Sequence, residues 1–460
     1  MPIVDLRTRV LALGAITLGV LSTACSSAPP EASSGVAQSA DDGLSGKQLF
    51  EKPLSGTNGR SCATCHVASD GLTLTPAHVS ALYAQNPGDP LFNRIDADDE
   101  TAAVPTFEHL KRGLVRITLT LADNLDVIDG AGNVITNADR TVFVWRGVPS
   151  TYNVAYTAPY QLDGRAPTLA QQADGALHAH MQIDHEPSPA QLDAISDYEG
   201  KLFSSEAARK VANDIDHGRA PAPVDLKFPP GSDEAAGQAI FLQICAQCHG
   251  TGTTNTFTNR TVEANFFPVQ HADGTIDIGG FTSGGVAIPT TFRDDLSFPT
   301  NMGTYGISAT TLFAQLGIAP QAFPDTLGVP LPHYRIRFYT DASRTQKLVD
   351  LPPPPPAIGV SLVQEPFSVD PGRALISGDP YDWEGFDVPQ LRGLAETAPY
   401  FHDNSMPDLH ALIDIYSRFI LQAVPALNLG PANPPEGPGL PPEVFSPLQK
   451  QQLFAFLQQL

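Results

Sequence analysis

The sequence predicts a mainly α-helical fold built from two similar units, with small β-hairpin insertions. Three observations carry that prediction. Two C-x-x-C-H pentapeptides occur, Cys62-Ala63-Thr64-Cys65-His66 and Cys245-Ala246-Gln247-Cys248-His249. A segment T-A-P-Y-x-x-D also occurs twice, from Thr157 to Asp163 and from Thr397 to Asp403, so its copies lie 240 residues apart. Between these landmarks, Val115 to Trp145 alternates apolar and polar residues around Asp129-Gly130-Ala131-Gly132-Asn133. That is the period and turn chemistry of a β-hairpin.

Taken in order, the chain opens on an export signal. Arg7 and Arg9 precede an apolar run of 12 residues, Val10 to Leu21. A bilayer-spanning helix needs about 20, so the run is a signal-peptide core. Leu21-Ser22-Thr23-Ala24-Cys25 resembles a lipoprotein cleavage box, although the leucine stands four residues before the cysteine rather than three. Cys25 is either lipidated or lost to ordinary cleavage nearby. Both routes place the chain in the periplasm, and a lipid on Cys25 would be its only membrane contact. Residues 26–45, rich in Ser, Ala, Pro and Gly, read as a flexible tether.

The first unit is expected over 46–225 and the second over 226–460. Gly46-Lys47-Gln48-Leu49-Phe50-Glu51 precedes the first pentapeptide and Gly237-Gln238-Ala239-Ile240-Phe241-Leu242 the second. Both read as a short helix leading into an attachment loop. Arg146-Gly147 and Arg392-Gly393 stand before the two T-A-P-Y segments, and Leu169 and Leu409 keep the 240-residue spacing. Self-similarity of this kind argues for duplication of a unit. Thr275 to Phe281 and Tyr334 to Tyr339 read as further short strands. Pro352 to Pro356 is a stiff extended spacer, and Pro431 to Pro442 a surface loop. Leu448, Leu453, Phe454, Phe456, Leu457 and Leu460 lie near helical spacing and predict a closing C-terminal helix.

The pentapeptides carry the chemistry. C-x-x-C-H is the signature of covalent c-type haem attachment: two thiols bond one porphyrin and the histidine lies under the iron. The alternative is one zinc ion held by two C-x-x-C knuckles; the added histidines and the export signal favour haem. Of five cysteines, four belong to the pentapeptides and one is Cys25, which leaves none for a disulfide. The net charge of −22 argues against a nucleic-acid partner, since binding phosphates needs a basic surface. A protein partner should be basic, although acidity also serves solubility alone.

The order C-x-x-C-H, R-G-x-P-S with T-A-P-Y-x-x-D-G-R, C-x-x-C-H, L-R-G with T-A-P-Y-F-H-D resembles the bacterial dihaem cytochrome c peroxidases and MauG, over roughly 46–460 apart from the insertions. The resemblance implies two cytochrome c-type haem domains and two covalent haem c groups. It makes the haem at Cys62, Cys65 and His66 the site of reaction with hydrogen peroxide. The haem at Cys245, Cys248 and His249 becomes an electron relay with a second ligand at Tyr416, fed by a redox protein or an organic donor. The peroxidases usually carry methionine at that position and MauG carries tyrosine; Met406 lies ten residues too early. Tyr416 could also be a buried helix residue only. Tyrosinate favours ferric iron and methionine raises the potential, so the resemblance leans toward MauG.

The resemblance also places a peroxide-cleaving pair. Its glutamine falls on Gln172 and its glutamate on Gln182, which cannot shuttle a proton. Imidazole can do so near neutral pH, so His180, then His178, are the candidate catalytic bases, with His185 beside them; all three could equally be surface histidines. Leu162 stands where the family has an inter-haem tryptophan, with Tyr160 or Trp145 as candidate substitutes. Calcium would take carbonyls from Thr397 and Pro399, yet Gly147 replaces the family asparagine. His78 and His109 are candidate distal ligands of the first haem. A dihaem electron carrier without catalysis, or an oxygenase of the rubber-cleaving type, would share this framework.

Overall fold

The computed structural model describes residues 43–219, 226–249, 331–332, 334–348, 367–380, 386–387, 389–421, 432–434 and 442–460, and the backbone of five short strands between 268 and 292. The expected export signal, nearly all of the tether and the Pro352–Pro356 spacer lie outside the described residues. So does Pro431–Pro442 except for 432–434 and 442.

The described structure is mostly helical with small antiparallel sheets. Its first half carries α1 (Gly46–Glu51), α2 (Cys62–Cys65), α3 (Pro76–Gln85), α4 (Leu169–Ala179), α5 (Pro189–Glu199) and α6 (Glu206–Asp216). Two helices, α7 (Asp233–Ile240) and α8 (Ala246–His249), flank a π turn, Phe241–Cys245; the turn and α8 hold the second pentapeptide. Local chemistry sets their starts. Ser45 with Gln48, and Ser188 with Gln191, form capping boxes on α1 and α5, each satisfying backbone N–H groups that a helix start leaves open. Ser446 with Gln449 does the same for the C-terminal helix Pro447–Leu457.

Two helix crossings organise the packing. α1 packs on α5 and α7 on the C-terminal helix. At both crossings the backbones nearly touch. A Cβ on Gly46 would lie 1.9 Å from the Ala194 carbonyl oxygen, and one on Gly237 would lie 1.9 Å from that of Gln452. Only glycine, with no Cβ, permits such an approach. Around the first crossing Leu49, Phe50, Leu177 and Ile195 form a core; around the second, Phe241, Ile413, Leu453 and Phe456 form another.

The alternating stretch is two sheets rather than one hairpin. β1 (Leu114–Thr120) pairs antiparallel with β3 (Thr141–Gly147), from Leu114↔Gly147 to Thr120↔Thr141. Between them β2 (Leu125–Ile128) turns away and pairs with Tyr334–Phe338, which also takes Phe367–Ser368. Alternation reports a half-buried strand but does not name its partner, which here comes from about two hundred residues away. The Asp129–Asn133 turn closes as expected: Asp129 Oδ1 accepts from the backbone of Ala131 and Asn133 at 2.9 and 2.8 Å. Strands also form at Ile276–Ile278 and Tyr334–Phe338, inside the two stretches the sequence marked.

The 240-residue repeat recurs as geometry. Ala158-Pro159 and Ala398-Pro399 are both cis, and Gln161 and Phe401 both take positive φ, 72° and 69°. Tyr160 Oη donates to the Val154 carbonyl at 3.0 Å, and Tyr400 Oη to that of Leu394 at 2.9 Å. Each loop leads into a helix capped by a side-chain oxygen, Thr168 for α4 and Asp408 for Leu409–Ile415. Then the copies part. α4 remains α-helical through Ala179, whereas the second helix widens into a π turn over Tyr416–Ile420. The pentapeptides differ likewise. A loop separates α1 from α2, whereas α7 runs through a π turn, Phe241–Cys245, directly into α8. The attachment loop expected before the second pentapeptide is therefore absent among the described residues.

Candidate functional site

The first pentapeptide forms the one-turn helix α2, which leaves His66 at its C-terminal end. His66 Nδ1 lies 3.1 Å from the Leu72 carbonyl oxygen. A carbonyl can only accept, so Nδ1 carries the hydrogen and Nε2 is left with its lone pair, the arrangement of a metal-binding imidazole. His249 repeats it, with Nδ1 3.0 Å from the Pro389 carbonyl oxygen. Burial pushes both imidazoles down to about 4, so both are neutral at neutral pH, as a metal ligand must be. Burial also pushes the Cys65 thiol up to about 11.

These groups share a cavity. Cys62, Cys65 and His66 of the first pentapeptide line it, together with His249 of the second and Tyr416. The His249 and Tyr416 ring centroids lie 6.4 Å apart at 51°. A smaller apolar pocket beside them is walled by Cys245, Leu394, Leu412, Phe445 and Leu457 among others. A flat apolar macrocycle needs such walls, thiols at its edge and a neutral imidazole with a free lone pair. The donor set present fits haem at both places.

α4 supplies the cavity wall facing His66. Gln172, Ala173, Ala176 and His180 line the cavity; at helical spacing they fall on one face. His180 is half-buried, and its imidazole is pushed down chiefly by burial and by the positive charges of Arg60 and Arg165, with Asp96 opposing them. His178 is not brought to the cavity. Two residues before His180, it points to the opposite side of the turn, where it is exposed and lies 3.5 Å from Asp174 and 3.6 Å from Glu186. His185 pairs with Asp184 at 2.9 Å, outside the cavity lining, and Gln182 is exposed and accepts from Asn58 Nδ2.

The remaining expectations sort by burial. Met406 is fully buried in the second core and is not a cavity residue. His109 is buried, hydrogen-bonds Asp98 through Nδ1 at 2.8 Å and stacks on Trp145 at 4.5 Å. Trp145 packs with Leu114, Leu331 and Val369. Neither His109 nor Trp145 lines the cavity, and His78 sits half-exposed near Asp70. Leu162 and Tyr160 do line it. At Gly147, where the family asparagine is missing, Asn404 fills the space: a Cβ there would lie 2.3 Å from Asn404 Oδ1.

Two features escaped the sequence reading. Glu199, 3% exposed, lines the same cavity. Its Oε2 has no hydrogen-bond partner among the described residues, and burial pushes its carboxyl up to about 8, so it is protonated at neutral pH. In sequence it is an ordinary acidic residue at a helix end. The second is a buried charge lattice across the repeat. Arg146 holds Asp370 through Nε and Nη2 at 2.6 and 2.9 Å, and also holds Asp163, which Arg165 grips at 2.8 Å. Arg146 and Asp163 belong to the repeated segments, so their importance was legible; Asp370, some two hundred residues downstream, was not.

Residues 44–211 match the model of the family described as di-haem cytochrome c peroxidase. Among solved structures, a MauG-like protein associated with microbial copper homeostasis is similar at 16% identity and a TM-score of 0.37, covering 90% of this chain and 87% of its own. The diheme peroxidase BthA from Burkholderia thailandensis E264 is similar at 14% identity and a TM-score of 0.35, with coverage of 90% and 84%. None of the curated proteins compared matches the chain. Over residues 44–211 the chain is similar to the di-haem cytochrome c peroxidase family.

Proposed function

We propose that this chain is an exported dihaem c-type oxidoreductase that reduces hydrogen peroxide at the haem on His66 and stores and passes electrons at the haem on His249 and Tyr416. The observation that carries the reading is an inequality within the repeat. Ala176 and Tyr416 stand 240 residues apart in equivalent helices, and both line the cavity. Alanine offers iron nothing, so the side facing His66 stays open to a small substrate. Tyrosine offers a phenolate oxygen, which closes the other side and lowers its potential.

Bound haem supplies the electrons that break the O–O bond. The chain supplies the protons and the orientation. Reduction to two waters consumes two electrons and two protons, and the first proton must move from the inner to the outer peroxide oxygen. A neutral His180 can accept it at its free ring nitrogen and return it to the departing oxygen. The Gln172 amide can donate a hydrogen bond to that oxygen as charge develops on it. Covalent attachment through Cys62, Cys65, Cys245 and Cys248, division at about residue 225, and periplasmic export belong to the same reading. The electron donor would be a basic redox protein or an organic molecule. Calcium at Thr397 and Pro399 finds its support only in the repeated loop.

Electron paramagnetic resonance of the ferric holoprotein tests the inequality. The expected spectrum has one high-spin haem, open at His66, and one low-spin haem at His249. Tyr416→Phe should convert the low-spin signal and leave the other. Two low-spin haems in every redox state would instead identify an electron carrier. An unaltered low-spin signal in Tyr416→Phe would remove Tyr416 as the ligand.

A further inference from the structure

Tyr416 is bracketed by charge. Two residues before it, Asp414 Oδ1 accepts from Lys450 Nζ at 2.8 Å. Two residues after it, Arg418 Nη2 pairs with Glu443 Oε1 at 2.7 Å. Lys450 joins the two pairs, with Nζ 2.8 Å from Glu443 Oε2. The four charges therefore alternate in sign along one chain of ion pairs, Asp414–Lys450–Glu443–Arg418. The Arg418 and Glu443 side chains are 2% and 1% exposed. Between them Ser417 is tied at both polar groups: its carbonyl accepts from Val444 N at 3.0 Å and its Oγ from Phe445 N at 2.9 Å.

This ion-pair chain lies behind the tyrosine. Leu412 and Tyr416 line the cavity and lie four residues apart on one helix face. Asp414 and Arg418, offset by two residues from these, fall on the other side. The backbone at this point is a π turn, with Leu421 N donating to the Tyr416 carbonyl. Such a turn is uncommon, and it appears most often where a functional side chain has to be aimed. A turn of this kind has an α-helical alternative that would rotate the residues after it, so something must hold it.

We propose that the Asp414–Lys450–Glu443–Arg418 chain of ion pairs is a positioning device that locks the π turn and aims Tyr416 at the cavity it shares with His249. Lys450 belongs to the C-terminal helix, which packs on α7, and α7 leads directly into the second pentapeptide. The ion-pair chain therefore references the tyrosine to the same helix pair that leads to His249. The inference rests on the reading of Tyr416 as a haem ligand, and Glu443, which touches neither haem nor substrate, is a positioning residue.

The test is ferric-state resonance and absorption of the holoprotein in three variants. Glu443→Gln keeps the shape of the side chain and removes the central anion. Loss of most of the low-spin signal of the second haem to a high-spin one is expected, with the first haem unchanged. Removing one member of a buried pair can also unfold a domain, so Arg418→Met with Glu443→Leu is made as a double variant, which replaces the pair by apolar volume and leaves Lys450 with Asp414. It should fold, as judged by circular dichroism, and show the same loss. A folded double variant with the wild-type low-spin signal overturns the proposal. Tyr416→Phe separates the two claims: if it converts the low-spin signal while both ion-pair variants keep it, Tyr416 is a ligand and the ion-pair chain does not position it. If Tyr416→Phe leaves the signal intact, the ligand reading fails and the positioning proposal falls with it.

Discussion

Arg146→Met is expected to cost about 3–5 kcal/mol of stability, the range measured when one partner of a buried ion pair is removed. The side chain is 2% exposed and stands between Asp163 and Asp370, which are no more exposed than it is. Burial alone would push the guanidinium down; the two carboxylates more than offset this and hold it above its usual range. Methionine fills similar volume but leaves two anions in the interior, Asp370 without its bidentate partner. An exposed pair gives the contrast. Lys47 and Glu51 on α1, 3.6 Å apart and 63% and 45% exposed, should contribute at most about 0.5 kcal/mol, so Lys47→Met should barely move the denaturation midpoint. Urea titration of the two holoprotein variants checks the difference. Equal midpoints would mean that the lattice does not hold the repeats together.

The same lattice has a pH signature. Burial raises the Asp163 carboxyl, but Arg146 and Arg165 pull it further down, so the net direction is down. A carboxyl depressed on folding contributes stability that is complete above its unfolded value, about 3.9. That contribution is lost as pH falls through the folded value. Acid unfolding of the wild type should therefore show this loss, and Arg146→Met should show a smaller one, since only Arg165 remains on Asp163.

His180→Ala is expected to lower the second-order rate with peroxide by about 10²–10⁴, the usual contribution of a positioned acid–base group. The resting spectra should not change, because His180 lines the cavity without being the attachment histidine. His178→Ala is the internal control. It removes the same kind of side chain two residues earlier, from the exposed face of α4, and should leave the rate unchanged. Stopped-flow mixing of both variants with peroxide decides between them. A wild-type rate in His180→Ala would return the role to another cavity group, with Glu199 the first to examine because it is buried and protonated there.

Much of this arrangement was legible in the sequence, and the reasons differ by residue. The pentapeptides and the T-A-P-Y loops are local signals, and local signals survive folding: both loops close with the same tyrosine hydrogen bond, and both lead to a capped helix. The spacing from Thr157 to Thr397 was enough to pair Ala176 with Tyr416. Helix phase was equally available, and counting round α4 from Gln172 separates His180 from His178. What could not be read was non-local. Nothing in Leu125–Ile128 specifies Tyr334–Phe338 as its partner, and nothing in Asp370 announces Arg146. Glu199 looks solvent-exposed in sequence because it ends an amphipathic helix, and only packing shows it facing the cavity. The π turn after Ile415 is invisible for the same reason, since the charges that brace it come from residues 443 and 450.

If the haem on His66 is open and reacts with peroxide while the haem on His249 serves it, rapid mixing of the ferric wild-type holoprotein with hydrogen peroxide, followed by absorption, should show it. The expected result is a peroxide-dependent spectral change that begins at the high-spin haem and extends to the low-spin one, then reverses on addition of an electron donor. Haem spectra that stay unmoved by peroxide, with no donor oxidised, would refute this division of roles.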